Sequence, residues 1–243
     1  MTAILRPRSL TRAAAILILA MPGPRYGRAE EASKSGSSPP SVQYVAPPVD
    51  FPGRRIGAGM RGMGRFGTIQ ILAPDHLGYT VAEQPTLYWY LAEPTTTRIE
   101  FTLRDETSVE PLVDVALPAP AQAGIQAVRL SDFGAKLAAG TRYVWFVSLV
   151  ADPEQRSKDF TSGAWIARRT PDAALRARLA ASGASEASAY AEGGYWYDAI
   201  GALSKQITSA PADAQTHAQR AALLDQAGLS EVAAYDRQQA VNR

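Results

Sequence analysis

Short apolar runs separated by turn residues fill the middle of this chain and limit what it can fold into. Seven of them have the length and composition of strands, at residues 68–72, 86–91, 98–104, 112–117, 125–130, 143–150 and 163–168. In the third run Ile99, Phe101 and Leu103 alternate with charged or polar residues, the period of a strand with one buried face. Seven short strands at near-regular spacing, without long helical patterns between them, predict an antiparallel β-sandwich over residues 54–169.

One corner of this sandwich resembles a fibronectin type III or immunoglobulin-like domain. Gly140, Thr141 and Tyr143 lead directly into the run at 143–150. In such domains a tyrosine at this corner bonds through its hydroxyl to the backbone a few residues upstream. The alternative is a plain turn followed by an interfacial tyrosine.

From residue 170 the chain becomes alanine-rich, and its apolar residues take helical spacing. Two stripes are predicted, one formed by Trp196, Ile200, Leu203 and Ile207 and the other by Ala214, Ala218, Ala221 and Leu224. Pro211 ends the first helix, Asp213 is placed to cap the second, and Gly228 is placed to end it in a left-handed conformation. Residues 170–243 therefore predict a small α-helical unit that resembles a tetratricopeptide repeat, and the whole chain is of the α+β class.

The first 29 residues have the order of a secretory signal peptide. Arg6, Arg8 and Arg12 precede an apolar run at 13–21, and Gly27 and Ala29 follow at cleavage-site spacing. The apolar run is far shorter than the roughly 20 residues that span a bilayer as a helix. The alternatives to a signal peptide are an uncleaved membrane anchor and a buried helix. We predict cleavage after Ala29, export to the periplasm or the extracellular medium, and a mature chain without a transmembrane segment.

The predicted cleavage changes the charge of the chain. It leaves 20 basic side chains against 23 acidic ones, a net charge of about −3, because the leader holds five arginines and no acid. Nucleic-acid binders normally carry a strongly basic domain, so no nucleic-acid partner is expected. The chain has no cysteine, which excludes thiol nucleophiles and cysteine-bound zinc. Residues 30–53, rich in Ser, Pro and Gly, predict a disordered tether.

A glycine- and arginine-rich loop follows the tether. Residues 57–62 match G-x-G-x-x-G, but prolines precede the motif and no helix follows it, so we expect no nucleotide cofactor and no other cofactor or metal. The loop also carries four arginines, Arg54, Arg55, Arg61 and Arg65. Closely spaced guanidinium groups can hold a carboxylate, phosphate or sulfate by paired hydrogen bonds. We take these four residues, the arginine segment, as the candidate anion or partner contact; the alternative is a solvated loop that crosses the sandwich.

Residues with catalytic chemistry are few. The two histidines, His76 and His217, fall in different predicted domains, and no serine lies in G-x-S-x-G. Asp75 beside His76 is read as a capped turn rather than a dyad, and the acids at 105–106 as a turn. Asp152, Glu154 and Asp159 loosely suggest a calcium loop, but they lack its central Gly and terminal Glu, so we favour a solvated hairpin tip. The aromatic triplets at 88–90 and 195–197 are read mainly as core, with any exposed ring free to stack on a sugar or a protein.

Several motifs together resemble a family of bacterial exported proteins known as domain of unknown function 928. They are the Gly/Arg stretch at 52–62, Leu72-Ala73-Pro74, Thr80, the run at 85–90, Tyr143-x-Trp145, Asp152-Pro153, Arg156-Ser157, Gly163-x-Trp165-Ile166-x-Arg168 and Trp196-Tyr197-Asp198-Ala199. Many members carry a cysteine shortly after the Gly/Arg motif, and residues 63–66 hold none. The resemblance implies secretion and no established activity.

From all of this we expect a noncatalytic envelope module that binds a protein or an anionic glycan. The alternative is a carboxylate-dependent hydrolase of cell-wall or extracellular polymer.

Overall fold

Strands come first and helices second along the described part of the chain. The structure is a computed structural model that describes residues 42–48, 51, 53–57, 69–118, 122–181 and 185–241. The strands are β1 (Ile69–Ile71), β2 (Gly78–Thr80), β3 (Thr86–Leu91), β4 (Arg98–Asp105), β5 (Val113–Leu117), β6 (Gly124–Arg129), β7 (Arg142–Val150) and β8 (Phe160–Arg168). The helices are α1 (Ala173–Ala180), α2 (Glu186–Glu192), α3 (Trp196–Ser209), α4 (Ala214–Gln226) and α5 (Ser230–Val241). The predicted α+β class is confirmed.

The strands form two sheets. One has the order β1-β3-β6 and the other the order β2-β8-β7-β4-β5. Each of the seven predicted runs overlaps one of these strands, and β2 is an addition. The antiparallel prediction needs one correction, because β2 runs parallel to β8 with Tyr79 opposite Ala167. Two parallel strands are joined by a long crossover connection, so no hairpin turn in the sequence indicates that β2 and β8 pair. The finer assignment to an immunoglobulin or fibronectin type III sandwich stays a prediction.

The alternation in β4 builds the core as the sequence indicates. Ile99, Phe101 and Leu103 are fully buried, whereas Arg98 and Arg104 on the opposite face are exposed. A one-residue slip would move all three apolar side chains to that opposite face, so the alternation fixes the pairing of β4 with β5 and β7.

The predicted tyrosine contact at the start of β7 is confirmed. The Tyr143 hydroxyl accepts a hydrogen bond of 3.0 Å from the backbone N–H of Ala138. Gly140 between them takes a left-handed conformation with φ of 79°. The buried ring of Tyr143 therefore keeps its polar end satisfied while the chain turns into the sheet.

The helix ends also follow the sequence. Asp213 accepts a hydrogen bond of 3.0 Å from the N–H of Gln215 at the start of α4. Gly228 ends α4 with φ of 70°, and Leu229 N–H then bonds to the carbonyl of Leu224 at 3.0 Å. In α3 Trp196, Ile200 and Leu203 are fully buried, as the first stripe predicts, and Ile207 at the end of the stripe is half-buried.

The second predicted stripe is wrong in its first half. Ala214 and Ala218 are exposed, and the buried face of this part of α4 carries His217 and Arg220 instead. Both side chains reach Asp236 on α5: Arg220 Nε and Nη2 donate to its carboxylate at 2.7 and 2.8 Å, and His217 Nδ1 lies 2.6 Å from Oδ1. Apolar periodicity could not show this face, because polar side chains bury when charge pairing satisfies them.

Part of the predicted tether is packed against the fold. Within residues 42–48 Val42 is fully buried, and the ring of Tyr44 packs edge-on against Trp196 with centroids 5.1 Å apart. Gln226 on α4 bonds to this segment twice, accepting from Tyr44 N–H at 2.7 Å and donating to the carbonyl of Val42 at 2.8 Å. Composition predicts a polar linker here, but Val42, the ring of Tyr44 and the hydrogen bonds of the Gln226 side chain hold these residues against α3 and α4. No helix in the described ranges is both long and apolar enough to cross a membrane.

Candidate functional site

The described part of the Gly/Arg loop runs along the edge of β8. Ile56 and Gly163 exchange backbone hydrogen bonds of 2.8 and 2.9 Å, so Ile56 forms an isolated antiparallel bridge to this strand. Gly57 has φ of 85°, and a Cβ at this position would lie 1.8 Å from the carbonyl oxygen of Thr161. The first glycine of G-x-G-x-x-G is therefore required by a close approach of two backbones. The second and third glycines lie outside the described residues.

The structure separates the two arginines of the segment that it describes. Arg54 is exposed. Arg55 is partly buried. Its backbone N–H donates to Asp75 Oδ1 at 3.1 Å, and its side-chain Nη2 donates to the carbonyl of Ala227 at 2.9 Å. Burial lowers the pKa of Arg55, and the nearby Asp75 carboxylate opposes that shift. Its Nη1 is buried and has no hydrogen-bond partner among the described residues. Arg61 and Arg65 lie outside the described residues.

A groove of about 550 Å³ lies beside Arg55. Its lining includes Asp75 and Ala227, which both contact Arg55, together with Tyr44, His76 and Gln226. The His76 ring stacks on Tyr44, and its Nδ1 faces the carbonyl of Leu77 at 2.9 Å. Asp75 thus accepts from Arg55, and His76 bonds to the carbonyl of Leu77 and, through Nε2 at 3.4 Å, to the hydroxyl of Tyr44. This geometry is that of a turn stabilised by hydrogen bonds, which agrees with the capped turn preferred from the sequence over a catalytic dyad.

Two of the other acidic candidates, Asp105 and Asp152, also serve turns, whereas Glu106 and Asp159 pair with Arg142 and Arg156. Asp105 accepts from the N–H groups of Thr107 and Ser108 at 2.8 and 2.6 Å, and Asp152 accepts from the N–H of Glu154 at 2.9 Å. Side chains that bond the backbone two residues ahead form Asx turns. Within the described residues, no group of three or more His, Asp or Glu side chains is placed to hold a metal ion.

The aromatic triplet at 195–197 joins α3 to the sheets. Trp196 Nε1 donates to the carbonyl of Leu72 at 2.9 Å. The Tyr197 hydroxyl accepts from Trp145 Nε1 at 3.0 Å and donates to the carbonyl of Trp165 at 3.1 Å. These aromatic residues are core, as the sequence suggests, and their polar atoms bond across the interface. Five residues of the motifs that carried the family resemblance therefore meet at this junction: Leu72, Trp145, Trp165, Trp196 and Tyr197.

Sequence reasoning missed a second groove, of about 460 Å³, between α2, α3 and the start of β3. Its lining includes Glu186 and Tyr190 from α2, and Asp198, Gly201 and Lys205 from α3. A signal was available in the sequence: a glycine inside a helix, with an acid three residues before it and a lysine four residues after it, marks one helix face. Without the tertiary structure nothing indicated that this face borders a groove.

These elements define a class: an α+β protein of two sheets and a C-terminal group of helices, with Arg54 and Arg55 next to a residue that pairs with the larger sheet. The chain belongs to the family described as Domain of Unknown Function (DUF928), whose family model matches residues 56–236. The resemblance inferred from the motifs is confirmed.

Wider comparisons add little. No curated protein matches this chain. Among solved structures, the crystal structure of a multi-domain immunophilin from Arabidopsis thaliana aligns over 82% of this chain and 100% of that chain, with 10% identity and a TM-score of 0.19. A superposition at this level does not indicate a shared fold.

Proposed function

We propose that this chain is an exported, noncatalytic envelope module that binds an anionic glycan or an acidic protein surface through its arginine segment. One observation carries the proposal. Arg54 stands exposed on a backbone that Arg55, its neighbour, ties to Asp75 and Ala227. An arginine on an anchored backbone loses less freedom on binding than one on a free loop, so more of its interaction energy is kept as affinity.

The charges favour a short-range contact. The mature chain is slightly acidic, so it does not attract polyanions as a whole. Beyond about 8 Å at physiological salt the arginine charges are screened. Charge-assisted, paired hydrogen bonds between guanidinium groups and carboxylate or sulfate therefore supply the affinity. The groove that borders Arg55 offers Tyr44 and His76 as further contacts for a sugar ring or a side chain.

The test leaves Arg55 in place, because its hydrogen bonds support the fold. We compare the triple variant Arg54→Gln, Arg61→Gln, Arg65→Gln with a control of equal charge, Arg104→Gln, Arg178→Gln, Arg237→Gln. The control arginines are exposed and lie on other elements. The probe is dextran sulfate, with neutral dextran as its blank.

We expect the segment variant to lose at least about tenfold in affinity and most of its salt dependence, and the control to lose neither. Melting temperatures of all three proteins should agree. Equal losses in the two variants would show that net charge, and not this segment, causes binding. Capture from an envelope extract with the same variants then distinguishes a protein partner from a glycan.

A further inference from the structure

The ring of His217 faces an acceptor with each of its two nitrogens. Nδ1 lies 2.6 Å from Asp236 Oδ1 on α5, and Nε2 lies 3.1 Å from the backbone carbonyl oxygen of Pro211 in the turn before α4. His217 is 3% exposed and Asp236 is fully buried, so water has little access to this pair. A neutral imidazole has one N–H and one lone pair, whereas the protonated ring has two N–H groups. Only the protonated ring therefore supplies a donor to both oxygens.

Neither partner of the ring can take the role of donor. Asp236 Oδ1 accepts from Arg220 Nη2 at 2.8 Å, and its Oδ2 accepts from Arg220 Nε at 2.7 Å. A carboxylate that receives paired bonds from a guanidinium group is the ionised form. The Pro211 carbonyl has no hydrogen to donate. A neutral ring would thus place a lone pair against an oxygen at one of its two contacts, and an unpaired buried polar atom is costly.

The charges near the ring also favour a proton on it. They come from α4, α5 and the turn before α4, and they belong to Arg220, Asp236 and Asp213. A hydrogen bond from Thr216 lowers the pKa of Asp213, and the nearby charge of His217 lowers it further. With a protonated ring, two cations face two carboxylates. With a neutral ring, the negative charge is in excess.

The groups that face this cluster from α3 and β3 are uncharged. Ser204 on α3 accepts a hydrogen bond from Arg220 Nη1 at 3.0 Å. Burial raises the pKa of Tyr88 on β3, whose hydroxyl lies near Ser204 and Arg220, so this hydroxyl is neutral at physiological pH. Titration of the His217 ring is therefore the event that changes the charge of the cluster near neutral pH.

We propose that His217 is a proton-dependent lock that joins the turn before α4 to α5. The lock is closed while both ring nitrogens carry hydrogen. It opens when the ring loses one proton, because either the Pro211 carbonyl or Asp236 then loses its donor. In the unfolded chain an imidazole titrates near pH 6.5. The lock's contribution to stability is therefore complete below about pH 6.5 and falls as the pH rises above that value, because the folded chain holds the proton more tightly.

Nitrogen NMR of the ring tests the lock directly. His76 is the matched control in the same chain, because its Nδ1 faces the carbonyl of Leu77 at 2.9 Å and its Nε2 lies 3.4 Å from the Tyr44 hydroxyl, which can donate. A neutral ring satisfies both of these partners. At about pH 7.5, one unit above the ordinary imidazole value, we expect two protonated nitrogens at His217 and one at His76. The variant His76→Gln assigns the signals. A lone pair on either nitrogen of His217 at this pH would overturn the proposal.

The pH dependence of stability supplies the second readout. His217→Gln keeps an amide donor but takes up no proton. Between about pH 6.5 and pH 8 the folding equilibrium constant of the wild type, relative to that of His217→Gln, should fall by up to about tenfold per pH unit, the limit for one proton. Urea unfolding measures both constants, and His76→Gln should follow the wild type. Parallel profiles for the wild type and His217→Gln would overturn the proposal. If His217→Gln fails to fold, the ring spectrum of the wild type decides the matter.

Discussion

Truncation of Trp196 tests the junction between the helices and the sheets most directly. The side chain is fully buried, its ring meets Tyr44 edge-on, and its Nε1 donates to the carbonyl of Leu72 at 2.9 Å. Trp196→Ala removes all three contributions. Replacing a buried Trp or Phe by Ala typically costs about 3–5 kcal/mol through lost transfer energy and the cavity that remains.

A second variant separates the polar contribution from the apolar one. Trp196→Phe keeps most of the ring contact but leaves the Leu72 carbonyl without its donor. A buried acceptor without a partner costs about 1–3 kcal/mol. We therefore expect a free energy of unfolding that falls by about 1–3 kcal/mol for Trp196→Phe and by at least about 3 kcal/mol for Trp196→Ala.

Urea unfolding followed by far-ultraviolet circular dichroism measures both changes, provided that the slope with urea stays the same in all variants. Val109→Ala is the control, because Val109 is 94% exposed and should change stability by less than about 0.5 kcal/mol. A loss below about 1 kcal/mol for Trp196→Ala would refute the reasoning. The aromatic residue would then not be what joins α3 to the sheets.

Two further predictions concern buried charge. Burial raises the pKa of Asp198 to about 6, above its ordinary value, so the folded state holds this proton more tightly than the unfolded state does. Between about pH 4 and pH 6 the free energy of unfolding should therefore fall with rising pH, by at most about 3 kcal/mol in total. Above about pH 6 this contribution should no longer change with pH. Wild type and Asp198→Asn share every other titrating group, so the difference between their urea midpoints isolates this slope, and parallel pH profiles would contradict it. Asp236→Ala should cost about 3–5 kcal/mol because it leaves Arg220 buried without its counter-charge, whereas Asp225→Ala, which removes the surface partner of Arg237, should cost less than about 1 kcal/mol. Similar thermal shifts for these last two variants would mean that the Asp236 cluster is open to water.

The arginine segment shows how far sequence reasoning reaches at a site. Four arginines in a glycine-rich loop indicated anion binding, and composition treated the four as equivalent. The structure distinguishes Arg54, which is exposed, from Arg55, which bonds to Ala227 more than 170 residues away. No local pattern encodes the position of that carbonyl, so the different roles of these neighbours could not be foreseen.

The sequence by itself determined the local features of this protein. These features are the alternation in β4, the Asp213 cap, the left-handed Gly228 and the hydrogen bond of Tyr143. Each depends on residues within a few positions of one another, so a short stretch of sequence is enough to predict it. Tertiary structure alone decided the parallel pairing of β2 with β8, the charged face of α4 and the groove over Gly201. In β2 three buried residues meet a partner 88 positions away, and the Tyr197 ring leaves room only for a glycine at position 78. Such features depend on which segments, distant in sequence, come into contact. Those contacts form only when the whole core packs, so no short stretch of sequence predicts them.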